Sequence, residues 1–320
     1  MAISGGWRVL VGALVLSASV VAPATASADP VTCARWTESD LPGVEGLRTS
    51  NVSDAAGSYV VGNGVFRWGT GSSILIWKDR QLVDELSFGK HGPHASDVNS
   101  SGVVLVNAAA GFSGASRWQA GVYTGLKGWQ GEYDVKAVDI NERGDVLGES
   151  GGKPVLWPAG SDEAQLVPGT DESWSAIGLA DDGTILAATT TGVYWLGGAE
   201  PVQLSGGTDV QVKAMRNSYA VGWSGQGIVR WDRQGQVSPV YTGAMEVQSV
   251  NSHGQMVGVF NNQTTVGMPA VWYDPEQYPV SAGTSSWLSV IADDGTLYGS
   301  YAYDSWSSRA VVLDCEGARR

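Results

Sequence analysis

The chain has little charge and very few of the residues that bind metals or do redox chemistry. Only 16% of its 320 residues are charged, three are histidine and two are cysteine. Three histidines argue against a multi-histidine metal centre, and the two cysteines, Cys33 and Cys315, are too far apart in the sequence to form a zinc-binding cysteine pair. The 43% hydrophobic fraction, combined with so few charges, excludes an intrinsically disordered chain. We therefore expect a folded protein with neither a metal nor another cofactor.

Basic residues are also scarce. Lysine and arginine total 19 against 32 acidic residues, which gives a formal net charge of -13. Such a surface repels nucleic-acid phosphates and anionic lipid headgroups. The sequence also lacks the glycine-rich motifs that bind nucleotides. We expect no nucleic-acid partner.

The chain has one long apolar stretch, at its N-terminus. A short segment with one positive charge, Arg8, is followed by an apolar run from Val9 to about Ala22 and then by small residues ending at Ala26-Ser27-Ala28. This order is typical of a secretory signal peptide, residues 1–28, with cleavage after Ala28. The run is too short for a membrane anchor, and no lipoprotein cysteine follows it. We expect a secreted, extracellular monomer comprising residues 29–320 as one domain.

The rest of the sequence is a repeat. An aromatic landmark returns about every 40 residues, and a turn glycine recurs with it. The repeat beginning at Val135 contains four short strands, and its first two are joined by an Asn-Glu-Arg-Gly turn of the kind that forms tight hairpins. About seven such units match the period of β-propeller blades. The landmark residues, which we expect to pack between blades, are Trp77, Trp118, Trp157, Trp195, Trp231 and Trp272.

The two ends of the mature chain complement each other. The last repeat stops after its third strand, and the mature N-terminus contains a segment, residues 33–43, that resembles a fourth strand. We therefore predict an all-β, seven-bladed β-propeller closed by the N-terminal strand. In that arrangement Cys33 lies beside Cys315, and an oxidising compartment favours a disulfide between them.

The repeat resembles the HAF-type extracellular repeats of secreted bacterial proteins. The resemblance rests on Asn-x-x-Gly turns followed by an apolar-Trp strand, as in Ile140–Gly148 with Trp157 and Val250–Gly258 with Trp272. Ala180 and Ala292 replace the asparagine in two copies, and the copy around Asn217 is shortened. The resemblance implies a secreted propeller and carries no catalytic residue with it.

Aromatic residues outside the landmark fall in or beside the loops of one propeller face. Indole rings stack on the apolar faces of sugars, and exposed tryptophan is costly unless something uses it. Taken singly, each of these tryptophans is better interpreted as packing between blades. Their concentration on one face is what supports a binding surface for a glycan, a cell-envelope polymer or an extracellular protein. The predicted ligand-binding residues are Trp68, Trp129, Tyr133, Trp174, Trp223, Trp287 and Trp306.

Signals for catalysis are weak. His91 and His94 have the spacing of a metal pair without an obvious third ligand. Carboxylates on the aromatic face, such as Asp171 and Asp304, could serve acid–base chemistry. The sequence assigns no catalytic or metal-binding residue, although a hydrolase or lyase working from loop carboxylates remains an alternative to a binding protein, as does a protein-interaction scaffold.

Overall fold

The computed structural model describes most of the chain after residue 32. The described residues are 33, 35–69, 71–89, 92–109, 114–206, 209–225, 227–238, 241, 244–260, 268–273, 276–280, 286–304 and 306–316. The predicted signal peptide and His91 lie outside them. The described residues form 27 β-strands and two single-turn 3-10 helices, Arg67–Gly69 and Trp129–Gly131. None of their helices is long and apolar enough to cross a membrane.

The strands follow one another as successive antiparallel units, which we number 1 to 7. Unit 1 contains β2 (Leu47–Ala56), β3 (Tyr59–Phe66), β4 (Ser72–Lys78) and β5 (Gln81–Phe88). Unit 2 contains β6 (His94–Val98), β7 (Val104–Asn107), β8 (Ala115–Gln119) and β9 (Val122–Gly125). Unit 3 contains β10 (Val135–Ile140), β11 (Val146–Ser150), β12 (Lys153–Trp157) and β13 (Gln165–Leu166). Unit 4 contains β14 (Ser175–Leu179), β15 (Ile185–Thr189), β16 (Gly192–Leu196) and β17 (Val202–Gln203).

The later units vary more in their outer strands. Unit 5 contains β18 (Gln211–Arg216), β19 (Tyr219–Ser224) and β20 (Gly227–Trp231), and a single bridge from Trp231 to Val237 stands where the described part of the other units has a fourth strand. Unit 6 contains β21 (Ala244–Val250), β22 (Met256–Phe260), β23 (Met268–Tyr273) and β24 (Glu276–Pro279). Unit 7 contains β25 (Ser286–Ile291), β26 (Leu297–Asp304) and β27 (Ser307–Glu316), and its outer strand is β1 (Arg35–Asp40).

The chain ends meet in unit 7, as the sequence predicts. Strand β1 pairs antiparallel with β27 from Arg35 opposite Glu316 to Asp40 opposite Val311. Cys33 and Cys315 form a disulfide, and their Cα atoms are 5.4 Å apart. One parallel pair, Thr49 with Ser308, joins units 7 and 1 into an eight-stranded sheet. The prediction of a terminal disulfide is confirmed.

The first strand of each unit carries a register shift and contacts the first strand of the next unit. The shifts lie, for example, between Val52 and Asp54 in β2 and between Ala95 and Asp97 in β6. The contacts run from β2 through β6, β10, β14, β18 and β21 to β25, and β25 contacts β2 again. A β-bulge turns one side chain away from the regular alternation. The repeated bulges therefore aim a residue from each unit toward the space between the first strands.

The landmark tryptophans form the cores between units. All six are at most 4% exposed. Several also donate an indole hydrogen bond to a backbone carbonyl of a neighbouring unit: Trp157 Nε1 to Lys127 O at 2.8 Å and Trp231 Nε1 to Ser205 O at 2.9 Å. Each such bond satisfies a buried donor while it joins two sheets.

Candidate functional site

The predicted aromatic residues lie at one edge of the sheets, where first strands begin and second strands end. Four of them present large exposed surfaces there: Trp306 is 71% exposed, Trp287 51%, Trp223 44% and Tyr133 91%. Trp306 forms the turn between β26 and β27, and Trp287 is the second residue of β25, so both belong to unit 7. The side chain of Trp68 is outside the described structure.

Two of the predicted residues are instead half-buried and pack against the cores. Trp129 packs on the cluster around Leu126 and Trp157, and the Lys153 ammonium lies 5.4 Å from its ring centroid. Trp174 packs beside Tyr194, with 5.5 Å between ring centroids. Because much of each ring contacts protein, these two residues present less surface to a ligand than the four exposed ones do. The most accessible tryptophan surface among the described residues is therefore on units 5 and 7.

A cavity of about 600 Å³ opens beside Trp306, at the junction of units 7 and 1. We call it the seam pocket. It is lined by residues of the β1–β2 connection, the start of β2 and the segments on either side of the β26–β27 turn. Its lining includes four hydroxyl groups, two carboxylates and three arginines, from Ser50, Tyr303, Ser307, Ser308, Asp40, Asp304, Arg48, Arg67 and Arg309.

Side chains in the seam pocket hold one another in place. Arg48 Nε donates to the carbonyl of Trp306 at 2.5 Å, and its guanidinium carbon lies 5.2 Å from the centroid of that indole. Arg309 Nε lies 2.5 Å from Asp40 Oδ1, and Arg309 also donates to the Tyr303 hydroxyl. An arginine over an aromatic face is favourable and orients the ring. The pocket thus joins fixed cations to an exposed indole.

A second cavity, of about 240 Å³, lies between the first strands of the units. We call it the central channel. The bulges bring three carboxyl groups into it, from Asp54, Asp97 and Asp139. Arg216 of unit 5 lines the same cavity. Asp97 is buried at 7% exposure, while Asp54 and Asp139 are partly exposed to the channel.

Each of these three channel carboxyl groups accepts a backbone hydrogen bond from the next unit. Asp54 Oδ2 accepts from Val98 N at 3.2 Å, and Asp97 Oδ2 accepts from Ile140 N at 2.7 Å. In the same way, Asp139 Oδ2 accepts from Leu179 N at 2.6 Å. The carboxyl groups are also hydrogen-bonded to one another, Asp54 with Asp97 and Asp97 with Asp139. They therefore join units 1 to 4 in a continuous chain.

Burial makes these groups weaker acids than usual. It raises the pKa of Asp97 to about 7, with the neighbouring Asp139 carboxylate adding to the effect. Burial is also the main cause that raises the pKa of Asp54 well above its ordinary value and that raises the pKa of Asp139. For Arg216, burial acts to lower the pKa, but the surrounding carboxylates outweigh it and raise the pKa. The carboxyl groups of the cluster thus share protons, and Arg216 supplies a compensating positive charge.

The residues considered for catalysis are dispersed. His94 begins β6 with an exposed side chain, and Asp171 accepts hydrogen bonds from Ser173 in the loop before β14. Asp304 caps the turn of unit 7 by accepting from Trp306 N at 2.7 Å. Among the described residues, no group of three or more histidine, cysteine or acidic side chains is arranged to hold a metal ion.

Sequence reasoning missed the central channel. Its signal was available, because Asp54, Asp97 and Asp139 recur at nearly the interval of the repeat itself. An acidic residue kept in phase on a predicted inner strand indicates a structural or functional role. Arg216 carries no such signal, because no other unit repeats it at that position.

The fold resembles those of known β-propellers. The structure of a streptogramin B lyase matches with a TM-score of 0.56 at 12% identity, over 88% of this chain and 98% of that one. The β-propeller domain of the Trilobed protease from Pyrococcus furiosus, which has an open velcro topology, matches with a TM-score of 0.59 at 12% identity, over 84% and 95%. Virginiamycin B lyase from Staphylococcus aureus matches with a TM-score of 0.54 at 10% identity, over 87% and 98%.

These likenesses assign a β-propeller fold and nothing finer, because the identities are low. No protein-family model matches the sequence, and no curated protein does so either.

Proposed function

We propose that this protein is a secreted, seven-bladed β-propeller that binds a glycan, or a glycan polymer of a cell envelope, through the exposed aromatic residues of units 5 and 7. The seven units would be the blades, with the contact between β25 and β2 closing the ring. The terminal disulfide supports maturation in an oxidising compartment. The resemblance to HAF-type repeats, drawn from sequence alone, points to the same setting.

One observation carries the binding proposal: Trp306 and Trp287 stay largely exposed on a chain that buries all six landmark tryptophans. Both indoles lie on the same unit and at the same edge, and large exposed apolar surfaces of this kind are costly unless a ligand covers them. Sugar rings present flat C–H faces of matching size. Trp223 of unit 5, two units away, adds a third exposed indole at the same edge.

The seam pocket supports a glycan over a flat protein surface as the ligand. Its volume of about 600 Å³ falls within the range of small-molecule sites, and its lining mixes hydroxyl and charged groups beside the Trp306 ring. The three aspartates of the central channel, by contrast, are engaged with backbone N–H groups of adjacent units, so a binding role explains the molecule better than catalysis from the channel.

The test is a titration of intrinsic tryptophan fluorescence with a panel of neutral and charged oligosaccharides. We expect at least one oligosaccharide to shift the emission of the wild-type protein. We expect Trp306→Ala and Trp287→Ala each to weaken its binding at least tenfold by calorimetry.

Trp174→Ala is the matched control, because it removes a half-buried indole at the same edge and should change the affinity less than twofold. No response across the panel would overturn the glycan proposal. In that case the protein-interaction scaffold becomes the better hypothesis.

A further inference from the structure

We infer that the seam pocket binds an anionic group, a carboxylate or a phosphate, carried by a sugar whose ring stacks on Trp306. This inference rests on the proposed glycan-binding function and names the chemical class of the ligand. It departs from what net charge alone implies, since 32 acidic residues against 19 basic ones favour neutral or cationic ligands. We nevertheless infer an anionic ligand because the arginines of the pocket make its local charge differ from that of the whole chain.

The position of the Arg48 guanidinium is the main evidence for this inference. Its Nε donates to the Trp306 carbonyl at 2.5 Å, and its guanidinium lies over the Trp306 ring. Within the described residues, no carboxylate forms an ion pair with Arg48. The remaining guanidinium N–H groups keep the fork geometry that pairs with a carboxylate or a phosphate. Arg48 is therefore held in place, and no carboxylate of the described residues forms an ion pair with its guanidinium.

The acidic groups of the pocket have partners already. Asp40 lies 2.5 Å from Arg309, and Glu38 is also within 3.7 Å of that guanidinium. Asp304 accepts from Trp306 N at 2.7 Å and from the Ser307 hydroxyl at 3.2 Å. Because the Asp40 charge is paired with Arg309, it opposes an incoming anion little. The donors to Asp304 are neutral, so its charge remains, and the three arginines of the lining outnumber the two carboxylates.

Arg67 adds a second cation on the unit 1 side. It begins the 3-10 helix that follows β3, and its backbone N donates to Gly46 O at 3.1 Å, which fixes the helix against the β1–β2 connection. Arg48 and Arg67 line the same cavity. The Arg48 guanidinium beside an accessible indole, with a second arginine lining the same cavity, supplies the components of a site for an acidic sugar: the ring meets the aromatic face, and the anionic substituent meets Arg48.

The site forms only where the two chain ends meet. Arg48 and Arg67 come from unit 1, whereas Tyr303 and Arg309 come from unit 7, as does Trp306 beside them. Asp40, which orients Arg309, ends strand β1. The pairing of the two chain ends thus assembles the pocket as well as stabilising the fold.

The experiment compares matched probes by calorimetry. The first pair is trigalacturonate and the same trisaccharide with its carboxylates methyl-esterified. The second pair is a trisaccharide phosphorylated at one hydroxyl and its unphosphorylated form. We expect the anionic member of at least one pair to bind at least tenfold more tightly, and the pair that discriminates identifies the anion.

The variants separate charge from stacking. Arg48→Gln should reduce the anionic preference by about tenfold while leaving the affinity for the neutral member within twofold. Trp306→Ala should weaken both members. Arg35→Gln, which removes an exposed arginine at the opposite end of β1, is the matched control and should change neither. Melting temperatures of all variants show whether each remains folded.

The outcomes that overturn the inference differ from those that overturn the proposed function. Equal affinity for the anionic and neutral members in both pairs, or an undiminished preference in Arg48→Gln, overturns anion recognition at this pocket while sugar binding stands. Absence of binding by all four probes and by the wider oligosaccharide panel overturns both.

Discussion

The central channel and the seam pocket contain the same kinds of charged residue but differ in how those residues are engaged. In the channel, Asp97 is buried, bonded to a backbone N–H of the next unit, and hydrogen-bonded to two other carboxyl groups. In the seam pocket, Arg48 is tied to a carbonyl and to a ring that is itself 71% exposed. Charges whose partners all lie inside the protein serve the fold, whereas charges oriented toward an open cavity are available to a ligand.

Each region can be altered separately, so the contrast can be tested. Changes in the channel should alter stability and its pH dependence. Changes in the seam pocket should alter binding and leave stability nearly unchanged. Strand β1 is the exception, because it contributes both to the joining of the chain ends and to the pocket.

The largest effect should come from opening the terminal disulfide. In the double variant Cys33→Ser, Cys315→Ser the free energy of unfolding should fall by about 4 kcal/mol, because the bond closes a loop of 282 residues and restricts the unfolded state. Denaturant unfolding measures the loss. Hydrogen exchange should show faster exchange in β1 and β27 first, while the first strands around the channel stay protected.

A variant as stable as the wild type would mean that strand pairing alone holds the chain ends together. Hydrogen exchange that rises equally in the first strands around the channel and in β1 and β27 would mean that the two regions unfold together. The distinction drawn between them would then fail.

The next effect should come from removing a channel carboxyl group. Asp97→Ala leaves the buried Ile140 N–H without its acceptor and should cost roughly 2 kcal/mol at pH 5. Asp97→Asn keeps an acceptor oxygen and resembles the protonated acid, so it should cost much less at the same pH. Thermal unfolding of both variants at pH 5 gives the comparison. Equal losses in the two variants would show that the hydrogen bond to β10 is not what stabilises this junction.

Several of these features follow from the sequence, and some do not. The aromatic landmark that recurs about every 40 residues and the Asn-x-x-Gly turns predict repeated units. The two cysteines predict that the two ends of the chain meet. The structure also shows why unit 4 can have Ala180 where other units have the turn asparagine. Asn141 Nδ2 of unit 3 donates to the backbone carbonyl of Ala180 at 3.3 Å, and alanine supplies that carbonyl as well as asparagine does. Asparagine is needed where the side chain bonds to the next unit, and not where only the backbone accepts.

The aromatic face shows the limit of such reasoning. Trp129 lies in the connection between units 2 and 3, and Trp306 in the turn between β26 and β27. Both are at the same edge, yet Trp129 is half-buried against a core and Trp306 is largely exposed. The difference depends on which side chains of neighbouring strands pack beside each ring, such as Lys153 over Trp129. Those contacts join residues whose pairing no local pattern specifies.

A smaller effect should appear in the pH dependence of stability. Asp97 has a folded pKa of about 7, above its usual value near 3.8, so the folded state binds more protons between those limits. Stability is therefore greatest below the unfolded pKa and should fall by up to about 2 kcal/mol as the pH rises from 5 to 8. Asp97→Asn should flatten this fall, and Asp294→Asn, at an exposed turn, should not. Arg216→Gln should steepen it, because Arg216 lowers the pKa of the channel carboxyl groups.

The smallest effect on stability should come from the seam pocket. Trp306→Ala and Arg48→Gln remove side chains that are exposed or partly exposed, and each should change the free energy of unfolding by less than about 0.5 kcal/mol. Denaturant unfolding at pH 7 checks this, using the same preparations as the sugar titrations. A loss in either variant as large as that expected for Asp97→Ala would mean that the Arg48–Trp306 contact holds units 7 and 1 together. The pocket would then resemble the channel, and its exposed indole would no longer argue for a ligand.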